Sequence, residues 1–165
     1  MKKTIVVYGS STGSCQDVAE QIAKKLGVSD VKNVSEVDAD TLSGYDNLLL
    51  GTSTWGAGEL QDDWYDGVDA LKSADLSGQT TALFGCGDAE GYSDTFCGGM
   101  SEIYKTVKDS GAKLIGQVPA DSYTYDDSES VVDGKFVGLA IDVSESEEET
   151  EKRIDDWIDV IRPEL

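Results

Sequence analysis

The first residues of this chain whose types and spacing suggest chemistry are Gly9-Ser10-Ser11-Thr12-Gly13-Ser14-Cys15, with four hydroxyls, a thiol and two glycines in seven positions. An apolar, β-branched run, Thr4–Tyr8, leads into them. Beyond Gln16 the apolar residues Val18, Ala19, Ile22, Ala23 and Leu26 fall at helical spacing. A strand, a small-residue loop and a helix start, in that order, gather unpaired N–H groups and the positive end of a helix dipole around one point, which suits an anion. The loop has no lysine, so it is not a Walker loop, and it lacks the Gly-x-Gly-x-x-Gly of a dinucleotide site. What remains is a cradle of neutral donors suited to a terminal phosphate. A tight turn with an N-cap uses the same residue types, and the loop alone leaves both readings open.

Two further stretches add flat surfaces. In Gly51-Thr-Ser-Thr-Trp-Gly-Ala-Gly-Glu-Leu60, Trp55 has none of the periodic apolar neighbours that accompany Trp64 and Trp157, so it is expected to serve as a ligand platform rather than as core. In Gly85-Cys-Gly-Asp-Ala-Glu-Gly-Tyr-Ser-Asp-Thr-Phe-Cys97, Tyr92 stands among glycine and small polar residues, and Asp88 and Asp94 add acceptors. A phosphate cradle with two loop aromatics suits a flat ring carrying a phosphate tail. Clamping such a ring is worth about 1 kcal/mol per aromatic pair beyond area burial. The chain has no histidine, which removes the commonest general base and argues against hydrolase chemistry.

These loops need a scaffold that brings them to one edge. Strands are expected at Thr4–Tyr8, Val31–Val34, Asn47–Leu50 (closed by Gly51), Thr81–Phe84 (ending at Gly85) and Lys113–Val118, with a resumed apolar run at Lys135–Asp142. Helices are expected at Gln16–Leu26, Leu60–Leu71, Gly99–Ser110 and Glu147–Ile161. Five strands with helical crossovers predict an α/β fold with a mostly parallel sheet and helices on both faces. Ligands of such sheets bind beyond the carboxyl ends of the strands. Residues 119–134 interrupt the fifth strand with a polar, aromatic and acidic segment, long enough to have either a function or structure of its own.

Composition bounds the rest. A length of 165 residues suits a single domain over 1–165. The net charge of −20 argues against nucleic acid or an anionic membrane as partner and for a basic protein surface, with charge steering the encounter. Cys15, Cys86 and Cys97 form no Cys-x-x-Cys, so neither a zinc site nor a disulfide framework is expected, and a reducing cytoplasm fits. No apolar run approaches the roughly 18 residues a membrane span needs.

Taken together, the three stretches resemble the cofactor loops of flavodoxins. Ser10, Thr12 and Gly13 match a phosphate loop that commonly reads Ser/Thr-x-Thr-Gly-x-Thr, with Cys15 where a final threonine is usual. Thr-Trp-Gly-x-Gly-Glu-Leu-Gln-x-Asp-Trp at 54–64 and Gly-Asp-x-x-Gly-Tyr-x-Asp-x-Phe-Cys at 87–97 look like the two isoalloxazine loops. The segment at 119–134 looks like the insertion of the long-chain subclass. The flavodoxin fold is itself a standing instance of the strand-end rule used above.

The resemblance implies a three-layer sandwich with strand order 2-1-3-4-5, non-covalently bound FMN, and a low-potential one-electron carrier rather than an enzyme. It implies phosphate contacts from Ser10, Ser11, Thr12, Gly13, Ser14 and Cys15, and a flavin sandwiched by Trp55 and Tyr92. Thr54, Gly56, Ala57, Cys86, Gly87, Asp88, Asp94, Phe96 and Cys97 would lie around the ring or ribityl chain. Cys15 then reads as a small residue tolerated at a hydroxyl position.

The Gly56–Ala57 peptide is expected to flip on one-electron reduction, offering its carbonyl to the new N–H of the flavin. With no Lys or Arg in the three loops, full reduction to an anion is expected at a potential below that of free FMN. Expected partners are redox proteins with basic docking surfaces, of the flavodoxin/ferredoxin reductase or oxidoreductase type, met by a monomer. An FMN-dependent NAD(P)H oxidoreductase resembling quinone reductases is the alternative on the same fold. A receiver-like module fits poorly, because Gly9-Ser10 and Gly51-Thr52 stand where its acidic residues would be.

Overall fold

Hydrophobic runs without polar alternation dictate the centre of the molecule. The computed structural model describes residues 2–9, 13–55 and 59–165, without the side chains of 55, 59 and 60. Strand β1 (Thr4–Gly9) leads to helix α1 (Ser14–Leu26), β2 (Val31–Asn33), the short helix α2 (Ala39–Ser43) and the long strand β3 (Asn47–Trp55). Then come β4 (Glu59–Leu60), α3 (Asp63–Ser73), β5 (Thr80–Gly87), α4 (Gly99–Val107) and β6 (Lys113–Ile115). The chain ends with β7 (Val118–Pro119), β8 (Val131–Val132), β9 (Lys135–Phe136), β10 (Leu139–Asp142) and α5 (Glu147–Ile161).

The main sheet runs β10-β5-β3-β1-β2, with every pair along that path parallel. This is the flavodoxin-like order expected above. Both sheet faces are buried, so strand residues alternate between two apolar layers rather than between core and water. Ile5, Val7, Leu48, Leu50 and Leu83 pack with Trp64, Leu71, Met100 and Ile103 of α3 and α4. Val6, Leu49, Ala82, Phe84 and Ile141 pack with Val18, Ile22, Ile154 and Trp157 of α1 and α5. Each such side chain taken from water stabilises the fold by about 1.5–3 kcal/mol.

Several boundaries differ from expectation; β6 stops at Ile115, short of Val118, α4 at Val107, short of Ser110, and three others have clear physical reasons. Gly51 and Gly85 do not end their strands; β3 continues to Trp55 and β5 to Gly87. Both glycines answer to close packing. A Cβ on Gly51 would lie 2.0 Å from the Phe84 ring, and one on Gly85 would lie 2.5 Å from Met100 Cγ. Leu60 does not open a helix. It pairs antiparallel with Thr54 in β4, and α3 starts three residues later. The fifth strand is divided: β6 pairs with Thr80–Ala82 and β10 with Phe84–Gly87, both along the same edge of β5. The excursion between them has its own antiparallel sheet, β7-β9-β8. Among the described residues no helix is long and apolar enough to cross a membrane.

Candidate functional site

Parallel pairing brings the carboxyl ends of four strands level. Gly9 of β1 pairs with Thr52 of β3, Ser53 with Cys86 of β5, and Gly87 with Asp142 of β10. Helix α1 begins at this edge after Gly13, whose φ of 92° is the left-handed conformation glycine tolerates. The N-cap residue is Gly13 itself, which has no side chain to offer as a cap. Asp17 N donates to Gly13 O at 3.0 Å and closes the first turn.

A cavity of about 130 Å³ opens at the same edge. Ser14 at the start of α1 and Tyr92 both line it. Ser53, Thr54, Cys86 and Gly87 lie on the strand ends that line the cavity, together with Asp88, Thr95 and Val143. Tyr92 is 54 % exposed although its loop is well tied. Asp88 Oδ1 accepts from Glu90 N and Gly91 N, each at 3.0 Å, and Tyr92 N donates to Asp88 O at 2.8 Å. Buried Asp142 braces the same loop, accepting from Ala89 N at 3.1 Å and from the Ser144 hydroxyl at 2.6 Å. An aromatic ring held out at a cavity rim by an ordered loop is a surface for a flat ligand.

Three successive hydroxyls line β3 here. Thr52 Oγ1 donates to Ser53 O at 2.8 Å, and Thr54 Oγ1 accepts from Gly99 N, at the start of α4, at 3.1 Å. Ser53 Oγ is buried with no hydrogen-bond partner among the described residues. Such an orphan marks a place where a ligand polar group is wanted.

Of the sequence-predicted residues, Ser14, Thr54, Cys86, Gly87, Asp88 and Tyr92 meet at this cavity. Gly13 stands beside it as the cap of α1. Ser10, Ser11, Thr12, Gly56 and Ala57, and the side chain of Trp55, lie outside the described residues. Four others stand off the cavity wall. Asp94 is exposed in a short 3₁₀ turn. Cys15 is fully buried under the start of α1, and burial followed by the hydrogen-bonding Cys86 thiol pushes its thiol well above the ordinary value. Burial likewise pushes up Cys97, which sits at a left-handed φ of 50°. Phe96 is core, packed against Tyr125 at 5.6 Å and Phe136 at 5.7 Å between ring centroids.

Phe96 and Cys97 meet the excursion instead of the cavity. Ser128 Oγ donates to Phe96 O, Ser130 Oγ to Cys97 O at 2.7 Å, and Asp126 N to Ser93 Oγ at 2.7 Å. Phe96 N donates to Asp127 O at 3.2 Å. The segment at 119–134 thus supports the loop that presents Tyr92. Sequence reasoning missed Ser53, Thr95 and Val143 on the wall and Asp142 behind it. Ser53 was recoverable: alternation carried from Leu49 past Gly51 puts it on the α1 face, but a glycine taken as a strand end hides it.

The electrostatics are one-sided. Among the described residues no Lys or Arg lines the cavity. An adjoining trough of about 410 Å³ shares Ser14, Cys86 and Val143 with it and carries Asp17, Glu145, Glu147 and Glu151.

Comparison with known proteins points the same way. The family model described as Flavodoxin matches residues 6–157. Flavodoxin 1 of Azotobacter vinelandii is 42% identical over 171 residues, covering 100% of this chain and 98% of that one. A flavodoxin of Synechocystis sp. is 39% identical over 168 residues, covering 100% and 99%. Among solved structures, Fusobacterium nucleatum flavodoxin bound to flavin mononucleotide is similar with a TM-score of 0.91 at 31% identity, over 100% of this chain and 99% of that one.

Proposed function

The chain belongs to the flavodoxin family, and from that premise we propose how its own residues serve an electron carrier. It is an electron-transfer protein rather than an enzyme, and its cofactor is FMN. When bound, FMN supplies one-electron chemistry at its ring. The single observation that supports the placement is the cavity at the carboxyl edge of the sheet, lined by Ser14 at the start of α1, by the exposed Tyr92 and by Ser53, whose buried hydroxyl has no partner among the described residues.

In this proposal Ser10, Ser11, Thr12, Gly13 and Ser14 hold the phosphate at the start of α1, where amides and dipole favour an anion without a cationic side chain. Cys15 contributes only its backbone there, since its thiol is buried. Trp55 and Tyr92 take the two ring faces, with Thr54, Gly56, Ala57, Cys86, Gly87, Asp88 and Asp94 along the ring edge and side chain. Phe96 and Cys97 act from behind, fixing the backbone of the Tyr92 loop. These groups orient the cofactor and exclude water from one side of it.

The partners proposed are redox proteins with basic docking surfaces, of the flavodoxin/ferredoxin reductase or oxidoreductase type. A net charge of −20 steers such encounters and makes copies of the chain repel one another, which favours a monomer. The three cysteines are free, which suits the cytoplasm. The trough bearing Asp17, Glu145, Glu147 and Glu151 would repel the diphosphate of a pyridine dinucleotide, so the NAD(P)H oxidoreductase alternative is not favoured.

A reductive titration of the purified protein tests the assignment. The expected result is a bound flavin reduced in two resolved one-electron steps, without NAD(P)H turnover. A flavin taking both electrons in a single step with fast NAD(P)H turnover would overturn it, as would failure to bind added FMN.

A further inference from the structure

We propose that Cys15 and Cys86 form a second redox site, a thiol pair beside the cofactor cavity that a peroxide closes to a disulfide when the cavity is empty. Of the three cysteines, these two share a layer. Cys15 is in the first turn of α1 and Cys86 is near the carboxyl end of β5, and both pack between the sheet and α1 with Val18, Ala82 and Phe84. The two thiols are hydrogen-bonded to one another. Their sulfurs need close only from that contact to bonding distance. Cys97 belongs to the opposite layer, with Phe96 and Met100, and its thiol donates to the carbonyls of Gly85 and Ile141 at 3.8 and 3.7 Å. Alternation along β5 turns Ala82, Phe84 and Cys86 to the α1 face and away from Cys97.

Access decides the order of events. Cys15 is wholly buried, whereas Cys86 is 4 % exposed and lines both the cavity and the adjoining trough. A thiol enclosed on every side is inert, but here a cavity opens onto one member of the pair. The Cys86 sulfur takes an oxygen atom from hydrogen peroxide, whose O–O bond breaks, leaving a sulfenic acid and one water. The Cys15 sulfur then displaces that oxygen. The S–S bond forms, the S–O bond breaks, and the hydroxyl leaves with the Cys15 proton as a second water. In sum the two thiols give up two electrons and two protons, and hydrogen peroxide becomes two waters. A dithiol reductant restores both thiols by exchange. FMN in the cavity covers Cys86, a consequence that rests on the cofactor assignment above. The state of the pair therefore registers whether the cavity has stood empty in the presence of an oxidant.

In the test, apoprotein is treated with hydrogen peroxide, unfolded and alkylated with iodoacetamide, and its peptides are mapped without reductant. The expected result is the loss of two of the three alkylatable thiols, a linked pair of peptides carrying Cys15 and Cys86, and recovery of both thiols with dithiothreitol. Cys97→Ala is expected to form the same link. In Cys15→Ala the sulfenic acid has no thiol to meet, and dimedone, which traps sulfenic acids, is expected to label Cys86. Three free thiols after peroxide, a link that includes Cys97, or a link between two copies of the chain would each overturn the proposal. The Cys97→Ala protein decides the pairing even where Cys15→Ala does not fold. Wild type loaded with FMN is expected to keep both thiols through the same exposure. Closure at an unchanged rate with FMN bound would overturn entry through the cavity, and the proposal with it. Failure to bind FMN would overturn the cofactor assignment and leave the apoprotein result standing.

Discussion

Tyr92 shows how a single side chain announces a binding surface. A tyrosine 54 % exposed on a loop tied by Asp88 and Asp142 contributes little to the folded state, because it leaves most of its ring in water. Tyr92→Ala is therefore expected to leave the apoprotein's unfolding free energy in urea within about 0.5 kcal/mol of wild type. The same change is expected to weaken FMN binding by about 3- to 10-fold, the loss of one aromatic stacking partner. Fluorescence titration against unfolding curves separates the two effects. Cys15 teaches the opposite lesson. The sequence reads it as a small residue at a hydroxyl position of the phosphate loop, yet its side chain is fully buried in the layer between the sheet and α1. Residue type was legible for both, whereas exposure was not, since it depends on what the rest of the chain lays over them.

The element that most changes its meaning in three dimensions is the excursion at 119–134. Its sequence reads as a polar, aromatic and acidic segment with either a function or structure of its own. In the fold it places Tyr123 and Tyr125 against Phe96 and Phe136, with Tyr123 to Phe136 at 4.8 Å between centroids. Arg153 of α5 fastens it from the far side, stacked 3.8 Å over Tyr123 and bonded to Glu145 at 2.7 Å. Ser128 and Ser130 then hold the carbonyls of Phe96 and Cys97. Ser128→Ala or Ser130→Ala leaves a buried carbonyl short of its donor, at a cost of about 1–3 kcal/mol. Each is expected to lower the urea midpoint and to raise hydrogen exchange at 93–97 before the sheet exchanges. Unaltered exchange there would mean the excursion does not brace the loop. Sequence periodicity could not show this bracing, because it joins residues about 30 apart through side chain to backbone bonds.

At the scale of the whole molecule, charge and buried thiols set how the protein responds to solvent. Thirty-three acidic against thirteen basic residues, with no cation among the described residues that line the cavity, oppose the arrival of a second electron. The second one-electron potential is expected below that of free FMN and is expected to rise as salt screens the charge. A spectroelectrochemical titration at low and high salt checks both signs. Burial raises the thiol values of Cys15 and Cys97, and burial raises Tyr123 against the opposing pull of Arg153. In the unfolded chain a thiol loses its proton near pH 8.5, while these folded thiols keep theirs. The stability linked to them is complete below about pH 8.5 and is lost as pH rises toward the folded values, at most about 1.4 kcal/mol per pH unit per thiol. Urea midpoints are expected to fall between about pH 8 and pH 10.5, less steeply in Cys97→Ala. A flat profile would mean the thiols are not buried as described.

By itself the sequence determined the layering, the direction of the strands and the edge where ligands gather. Apolar runs, helical spacing and connection length are local properties, and a parallel sheet follows from them with little choice. Strand ends were less legible, since Gly51 and Gly85 look like breaks and are in fact places where Phe84 and Met100 press on the backbone. Only the tertiary structure decided that Phe96 and Cys97 belong to the bracing behind the site, that Asp142 ties down the Tyr92 loop, and that Ser53 has a buried hydroxyl with no partner among the described residues. Those facts depend on which atoms meet after β5, β10 and the excursion converge, and no local pattern encodes such a meeting.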